Sequence, residues 1–247
     1  MARERLDKVL SNMGFGTRKE VKSLCKNGEV LVNNIIVKDS SIHVDPENDN
    51  IFISGEKLFY REFIYIMLNK PQGVISATED ERDETVIDLL HIDYQVFNPA
   101  PVGRLDKDTE GLLLITNDGE LNHMLLSPKR HVPKRYFARI EGLVTEEDIV
   151  KFSKGVVLED GYETLPAELK IIKAEEISEI EVVLYEGKFH QVKRMFEAVD
   201  KKVVFLKRIE MGTLKLDQNL KCGEYRELKI EELELLRNSA LIGVNHI

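Results

Sequence analysis

Apolar positions in the first sixty residues begin at helical spacing and then change period. Leu6, Val9, Leu10 and Met13 share one helix face, and Gly14 can end that helix. Thr17 and Glu20 form a capping box for a second helix, on which Val21, Leu24 and Cys25 fall on one side. Arg18, Lys22 and Lys26 recur every four residues on the other side, with Lys19 beside them. Asn27-Gly28 turns the chain into a strand over 29–32, and Asn33-Asn34 turns it again into 35–37.

A strand over 63–68 follows, broken by "NKPQG" at 69–73. Thr85 caps a short helix over 86–90, and "NPAP" at 98–101 reads as extended loop. The segment 111–116 is a continuous apolar strand. Asp118 caps a helix carrying Leu121, Met124 and Leu125, which stops at Pro128. Residues 134–140 alternate as a strand, 145–155 form a capped helix with a glycine stop, and strands fit 167–172, 180–185 and 203–209. A helix over 190–199 carries Val192, Met195, Phe196 and Val199 on one stripe. Strands and helices mix without regular βαβ alternation, so the expected fold is α+β, with a largely antiparallel mixed sheet flanked by helices. Residues 57–63 read as a mobile junction between a small α/β module (1–58) and a larger domain (64–237).

Composition narrows the class. The chain has 247 residues, 43% of them hydrophobic, which suits a packed protein. No apolar run approaches the roughly 20 residues of a membrane helix, and "MARERLDKVL" has no secretory h-region. Cys25 and Cys222 match no metal or redox spacing. The expectation is a soluble, reduced, cytoplasmic protein, a monomer by default, with no membrane partner. The net charge of −9 argues against nucleic acid. Screening, however, confines charge to about 10 Å. Residues 121–140 hold no acid yet carry Lys129, Arg130, Lys134, Arg135 and Arg139, and the helix face at Arg18 is interrupted only by Glu20. Such basic islands fit either a polyanion site or ordinary solvated charge.

Candidate chemistry centres on "GRLDKDTEGLLLIT" (103–116). Asp106, Asp108 and Glu110 lie against a segment that wants burial, and in an extended loop they share a face. Close carboxylates would raise one pKa, as in a hydrolase. On the residues alone, the simpler reading is that two of the three cap the turn or face solvent.

"VGRLDKDTEGLLLITNDGEL" closely resembles the signature of pseudouridine synthases, in the branch that modifies ribosomal RNA. "LNKPQGVISAT" (68–78), "PKRYFARIEG" (133–142) and "EGKFHQVKRMFEAV" (186–199) agree with it in order and spacing. "RLDKVLSNMGFGTRKEVKSLCKNGEVLVNNIIVK" (5–38) resembles an S4 RNA-binding domain. Together the resemblances cover residues 3–236. They imply an S4 module joined to a pseudouridine synthase catalytic domain, isomerising a uridine of ribosomal RNA without cofactor or metal. "FHQVKRMF" is most similar to the small-subunit branch, which acts on uridine 516 of 16S rRNA. A 16S rRNA or small-subunit assembly particle is then the expected partner.

The resemblance also assigns roles. Asp106 matches the catalytic aspartate, Tyr136 the tyrosine that packs against the target base, and Lys193 the basic residue paired with the aspartate. Arg104 matches the arginine that helps hold the target nucleotide outside its helix. Arg18, Lys19, Lys22 and Lys26 are then RNA-binding, and Arg194 is placed for phosphate contact. These roles are physically coherent. An aspartate near an apolar strand needs a cation to stay ionised, and a flipped base needs a flat face to replace its lost stacking. By pattern alone, Tyr136 equally suits a half-buried strand position, Lys193 a snorkelling surface lysine, and Arg104 a partner for Asp108 or Glu110. His190 reads as structural or RNA-facing.

Two features depart from the family. Asp200 stands where glycine is usual, at a position suited to a left-handed cap. The tail "NSALIGVNHI" matches nothing in the family and is expected to lack order. The acidic balance predicts weak non-specific binding. A 23S rRNA target, a non-catalytic assembly factor using the S4 module alone, and a carboxylate-pair hydrolase are the competing readings.

Overall fold

Thr17 and Glu20 bond reciprocally in the computed structural model, which describes residues 3–242. Glu20 Oε2 accepts from Thr17 N at 2.7 Å and Thr17 Oγ1 accepts from Glu20 N at 3.4 Å, opening helix α2 (Arg18–Asn27) after α1 (Leu6–Asn12). Gly28, at φ +81°, closes α2. Asn33 and Asn34 both take positive φ, as a two-residue turn with primed geometry requires, and join β1 (Val30–Val32) to β2 (Ile35–Ile36). With β3 (Ile51–Ile53) and β4 (Glu56–Lys57) they form an antiparallel sheet ordered β2-β1-β3-β4. Leu6, Val9, Leu10, Val21, Cys25, Val30, Ile51 and Ile53 make its core.

The chain divides into two compact units whose membership does not follow chain order. Residues up to Ile64 form one unit together with His91–Asn98, and the remainder forms the second. The sequence places 91–98 in the later domain and a helix over 86–90. Instead, 86–90 is turn, with Leu90 N donating to Ile87 O and Thr85 N donating to Asp88 Oδ2. The helix, α3, is Ile92–Gln95. Gly14 admits this segment: at φ +80°, a Cβ there would lie 2.6 Å from Val96 Cβ. Arg61 covers the Phe97 ring at 5.6 Å, and Leu58 and Tyr60, in the expected junction, pack against the first unit's core.

The second unit is built on a nine-stranded sheet. Its main strands are β5 (Tyr65–Lys70), β6 (Glu110–Thr116), β7 (Lys134–Glu141), β8 (Glu168–Lys173), β9 (Ile177–Leu184), β10 (Lys202–Met211) and β11 (Tyr225–Glu227). They lie in the order β8-β9-β7-β10-β6-β5-β11. Only β10 with β6 is parallel within this path, so the sheet is largely antiparallel, as the sequence predicts. Helices α4 (Gly119–Leu126), α5 (Glu146–Lys154), α6 (Gln191–Glu197) and α7 (Ile230–Ile242) flank it. Ala138, Ile140, Phe152, Val182, Val192, Met195 and Phe196 fill one cluster, and Met67, Leu112, Leu114, Leu121, Leu125, Met211 and Leu236 another. The first five residues of the tail (238–242) belong to α7 rather than lacking order, and 243–247 lie outside the described residues. Asp200 takes the left-handed conformation, φ +58°, in place of glycine.

Candidate active site

The loop before β6 is clamped from below. Leu105 is buried, and its N–H and carbonyl both bond Ser76 Oγ, at 3.0 and 2.9 Å. Gly73 N donates to Lys107 O at 2.8 Å, so the "NKPQG" turn holds the same loop. Lys70, with no exposed surface, spends its three ammonium protons on the carbonyls of Pro71, Asp106 and Thr109, at 2.9, 3.1 and 3.1 Å. Burial pushes its pKa down to about 8, against the opposing pull of Asp106 and Asp108. The loop therefore enters β6 fixed in shape, with the Asp106 side chain partly exposed above it. Lys70 is a member of the site that sequence reasoning missed. Its signal was a lysine ending an apolar strand directly before a Pro-Gly turn.

Asp106 Oδ2 lies 3.1 Å from Lys193 Nζ, and Oδ1 lies 3.7 Å from His190 Nε2. Lys193 stands on α6 between buried Val192 and Met195, its side chain only 17% exposed, so the stem is covered while the ammonium reaches the loop. Asp108, expected to be a turn or surface residue, approaches the same ammonium more closely, at 2.6 Å, although its carboxylate is largely exposed. Burial alone would lower the Lys193 pKa, but the hydrogen bonds it donates to Asp108 and Asp106 outweigh it and the net shift is upward. For Asp108, burial would raise the pKa, and the Lys193 hydrogen bond and charge reverse this to a net lowering. The raised pKa expected of clustered carboxylates is thus not found at Asp108, because one ammonium is shared between two acids.

Tyr136 lies in a lateral row across the sheet, flanked by Val182 on β9 and Arg208 on β10, and Arg208 is flanked by Gly111 on β6. Two strand spacings, about 10 Å, separate Tyr136 from Gly111. The ring is half-buried against the core, and its hydroxyl has no hydrogen-bond partner among the described residues. Gly111 is required here: at φ +102°, a Cβ would fall 2.2 Å from Arg208 O.

The remaining residues separate into free and committed cations. Arg104 is exposed and, among the described residues, makes no hydrogen bond or ion pair, so it does not partner Asp108 or Glu110. Arg18, Lys19, Lys22 and Lys26 are all exposed on α2 and form no salt bridge with a described residue. Arg194 is committed to Asp160 at 2.5 Å. Two cations of the acid-free run 121–140 meet acids in three dimensions, and a third is buried. Arg135 pairs with Glu181 and Glu210, Arg139 with Glu179, and burial pushes the Lys134 pKa down to about 8.

A clamped loop carboxylate, a helix-borne lysine beside it and a strand tyrosine thus lie on one α+β sheet. Residues 64–198 match the family model described as RNA pseudouridylate synthase, and residues 4–51 match the S4 domain. The chain belongs to the RNA pseudouridylate synthase family, whose members are isomerases, and it carries an S4 domain. It is 52% identical to an uncharacterized RNA pseudouridine synthase of Bacillus subtilis, over 94% of this chain and 98% of that one. It is 38% identical to the ribosomal large subunit pseudouridine synthase B of the same organism, covering 98% and 99% of the two chains. Identity is also 38% with the ribosomal small subunit pseudouridine synthase A of Vibrio cholerae, covering 93% and 97%. A crystal structure of a pseudouridylate synthase superposes with a TM-score of 0.67 at 34% identity, covering 96% of this chain and all of the other. No helix among the described residues is long and apolar enough to cross a membrane.

Proposed function

We propose that this enzyme isomerises a uridine of ribosomal RNA, that the uridine lies in 16S rRNA at position 516, and that Asp106 is the nucleophile. The observation that carries the reading is the Asp106–Lys193 contact at 3.1 Å on a loop held by Lys70 and Ser76. In the reaction the N1–C1′ bond of the uridine breaks, a C5–C1′ bond forms, C5 loses its hydrogen and N1 gains a proton. Lys193 sets its ammonium beside the carboxylate that attacks the ribose. Tyr136 supplies a flat face for the flipped uracil, and the exposed Arg104 helps hold the nucleotide out of its helix. The exposed cations Arg18, Lys19, Lys22 and Lys26 bind RNA through the S4 domain, whereas Arg194 reaches phosphate only by leaving Asp160. The enzyme acts as a cytoplasmic monomer.

The small-subunit reading rests on "FHQVKRMF" and on the similarity to small-subunit relatives. A 23S target is the second reading, favoured by the equal 38% identity to a large-subunit relative. Tritium release from RNA labelled at uracil C5 separates them, using 16S and 23S transcripts, each naked and partly assembled with ribosomal proteins. Release from 16S material supports the proposal, and release from 23S alone moves the target.

A further inference from the structure

Phe189 is 72% exposed and lies immediately before α6. Its ring stacks on His190, with centroids 3.7 Å apart and planes 17° from parallel. His190 in turn places Nε2 at 3.7 Å from Asp106 Oδ1. An aromatic pair therefore extends outward from the reacting carboxylate, and its outer ring is left to solvent.

The backbone and the residues beneath hold this arrangement. His190 takes a left-handed conformation, φ +49° and ψ +33°, which a non-glycine residue adopts only when its surroundings impose it. Gln191 supplies part of that constraint: its Oε1 accepts from Lys188 N at 2.9 Å, and its Nε2 donates to Glu186 at 2.7 Å. Glu186 also accepts from the Tyr162 hydroxyl at 2.6 Å and from Leu165 N at 2.9 Å. Lys188 lies over the Tyr162 ring at 4.6 Å. The loop is thus anchored at its base while its most apolar side chain faces water. A solvated phenylalanine on a rigid loop contributes nothing to a core, but it presents a preorganised π-face beside a site that takes an extruded nucleotide.

We propose that the exposed face of Phe189 is a stacking platform for an RNA base flanking the target uridine. Extruding the uridine leaves a neighbouring base without one stacking partner, and the Phe189 ring replaces it. Phe189 thereby positions the strand and contributes to substrate selection. This rests on the RNA-isomerase reading of the Asp106 site.

The chain contains no tryptophan, so Phe189→Trp installs a unique fluorophore at the platform. The RNA is whichever ribosomal transcript wild type turns over, and that turnover separately tests the proposed function. In Phe189→Trp combined with Asp106→Asn, binding of this RNA quenches the emission saturably. In turnover, Phe189→Ala and Phe189→Leu raise KM about tenfold with kcat within about twofold, and Phe189→Trp recovers most of the loss. Emission unmoved by RNA overturns the proposal. So does a KM within about twofold of wild type in Phe189→Ala, a Phe189→Leu variant that matches wild type, or a loss confined to kcat. Thermal melts of each variant show whether the loop remains folded, and Phe189→Trp quenching reads the platform even if Phe189→Ala melts early.

Discussion

Lys193 Nζ stands 3.1 Å from Asp106 Oδ2, joining two residues 87 positions apart in the chain. Removing the ammonium leaves a part-covered carboxylate without its cation. Lys193→Met is expected to lower kcat by about 10²–10⁴-fold, with Lys193→Arg retaining more activity than Lys193→Met. Single-turnover kinetics at saturating RNA check this, and equal activity in both variants would contradict it.

Asp108 shares that ammonium at 2.6 Å but is largely open to solvent, so its contribution is discounted for screening. Asp108→Asn is expected to keep activity within about tenfold of wild type, because Lys193 remains beside Asp106. A loss matching that of Asp106→Asn would transfer the central role to Asp108 or revive a carboxylate-pair mechanism.

Lys70→Met strands three carbonyls that now accept from one ammonium, and is expected to destabilise the fold by about 3 kcal/mol. The pH dependence has a definite sign. With its folded pKa at about 8, below the ordinary 10.5, Lys70 binds fewer protons in the native state than in the unfolded state across that window. Stability from this group therefore rises with pH between the two values. Urea unfolding of wild type and variant near pH 8 and near pH 10 is expected to show the gap widening as pH rises. A constant gap would contradict the shift.

Gly111→Ala would drive a Cβ to 2.2 Å from Arg208 O at a positive φ. The expected cost is about 3 kcal/mol or more, measured by denaturant unfolding, since β6 and β10 must separate to admit the methyl group. A near-neutral variant would show that the parallel contact is looser than described.

Arg18, Lys22 and Lys26 project from α2 without salt bridges to described residues. Replacing all three with glutamine is expected to reduce the slope of log binding constant against log salt by about 2 on ribosomal RNA, while kcat at saturating RNA is kept. An unchanged slope would remove this helix face from the RNA interface.

Local signals in the sequence carried much of the fold. The Thr17–Glu20 box, the Asn33-Asn34 turn and the Asp118 cap each act within a few residues, where spacing is readable. The alternation in 134–140 and the apolar run after Glu110 likewise appear as β7 and β6. Non-local features were hidden for physical reasons. The basic run looked unopposed because Glu179, Glu181 and Glu210 reach it only through strand pairing. The 91–98 segment joins the first unit through the space Gly14 leaves for Val96, which no periodicity encodes. Asp106 and Lys193 were paired through family resemblance, and the structure brings them together. Lys70 and the bond that Asp108 accepts from Lys193 were not legible, because both depend on how the loop closes over β5 and α6.

The most direct test is tritium release from ribosomal RNA labelled at uracil C5, comparing wild type, Asp106→Asn and Asp108→Asn under single-turnover conditions. The account predicts release by wild type, continued release by Asp108→Asn, and none above background by Asp106→Asn while RNA binding persists. Full release by Asp106→Asn would contradict the assignment of the nucleophile and the mechanism built on it.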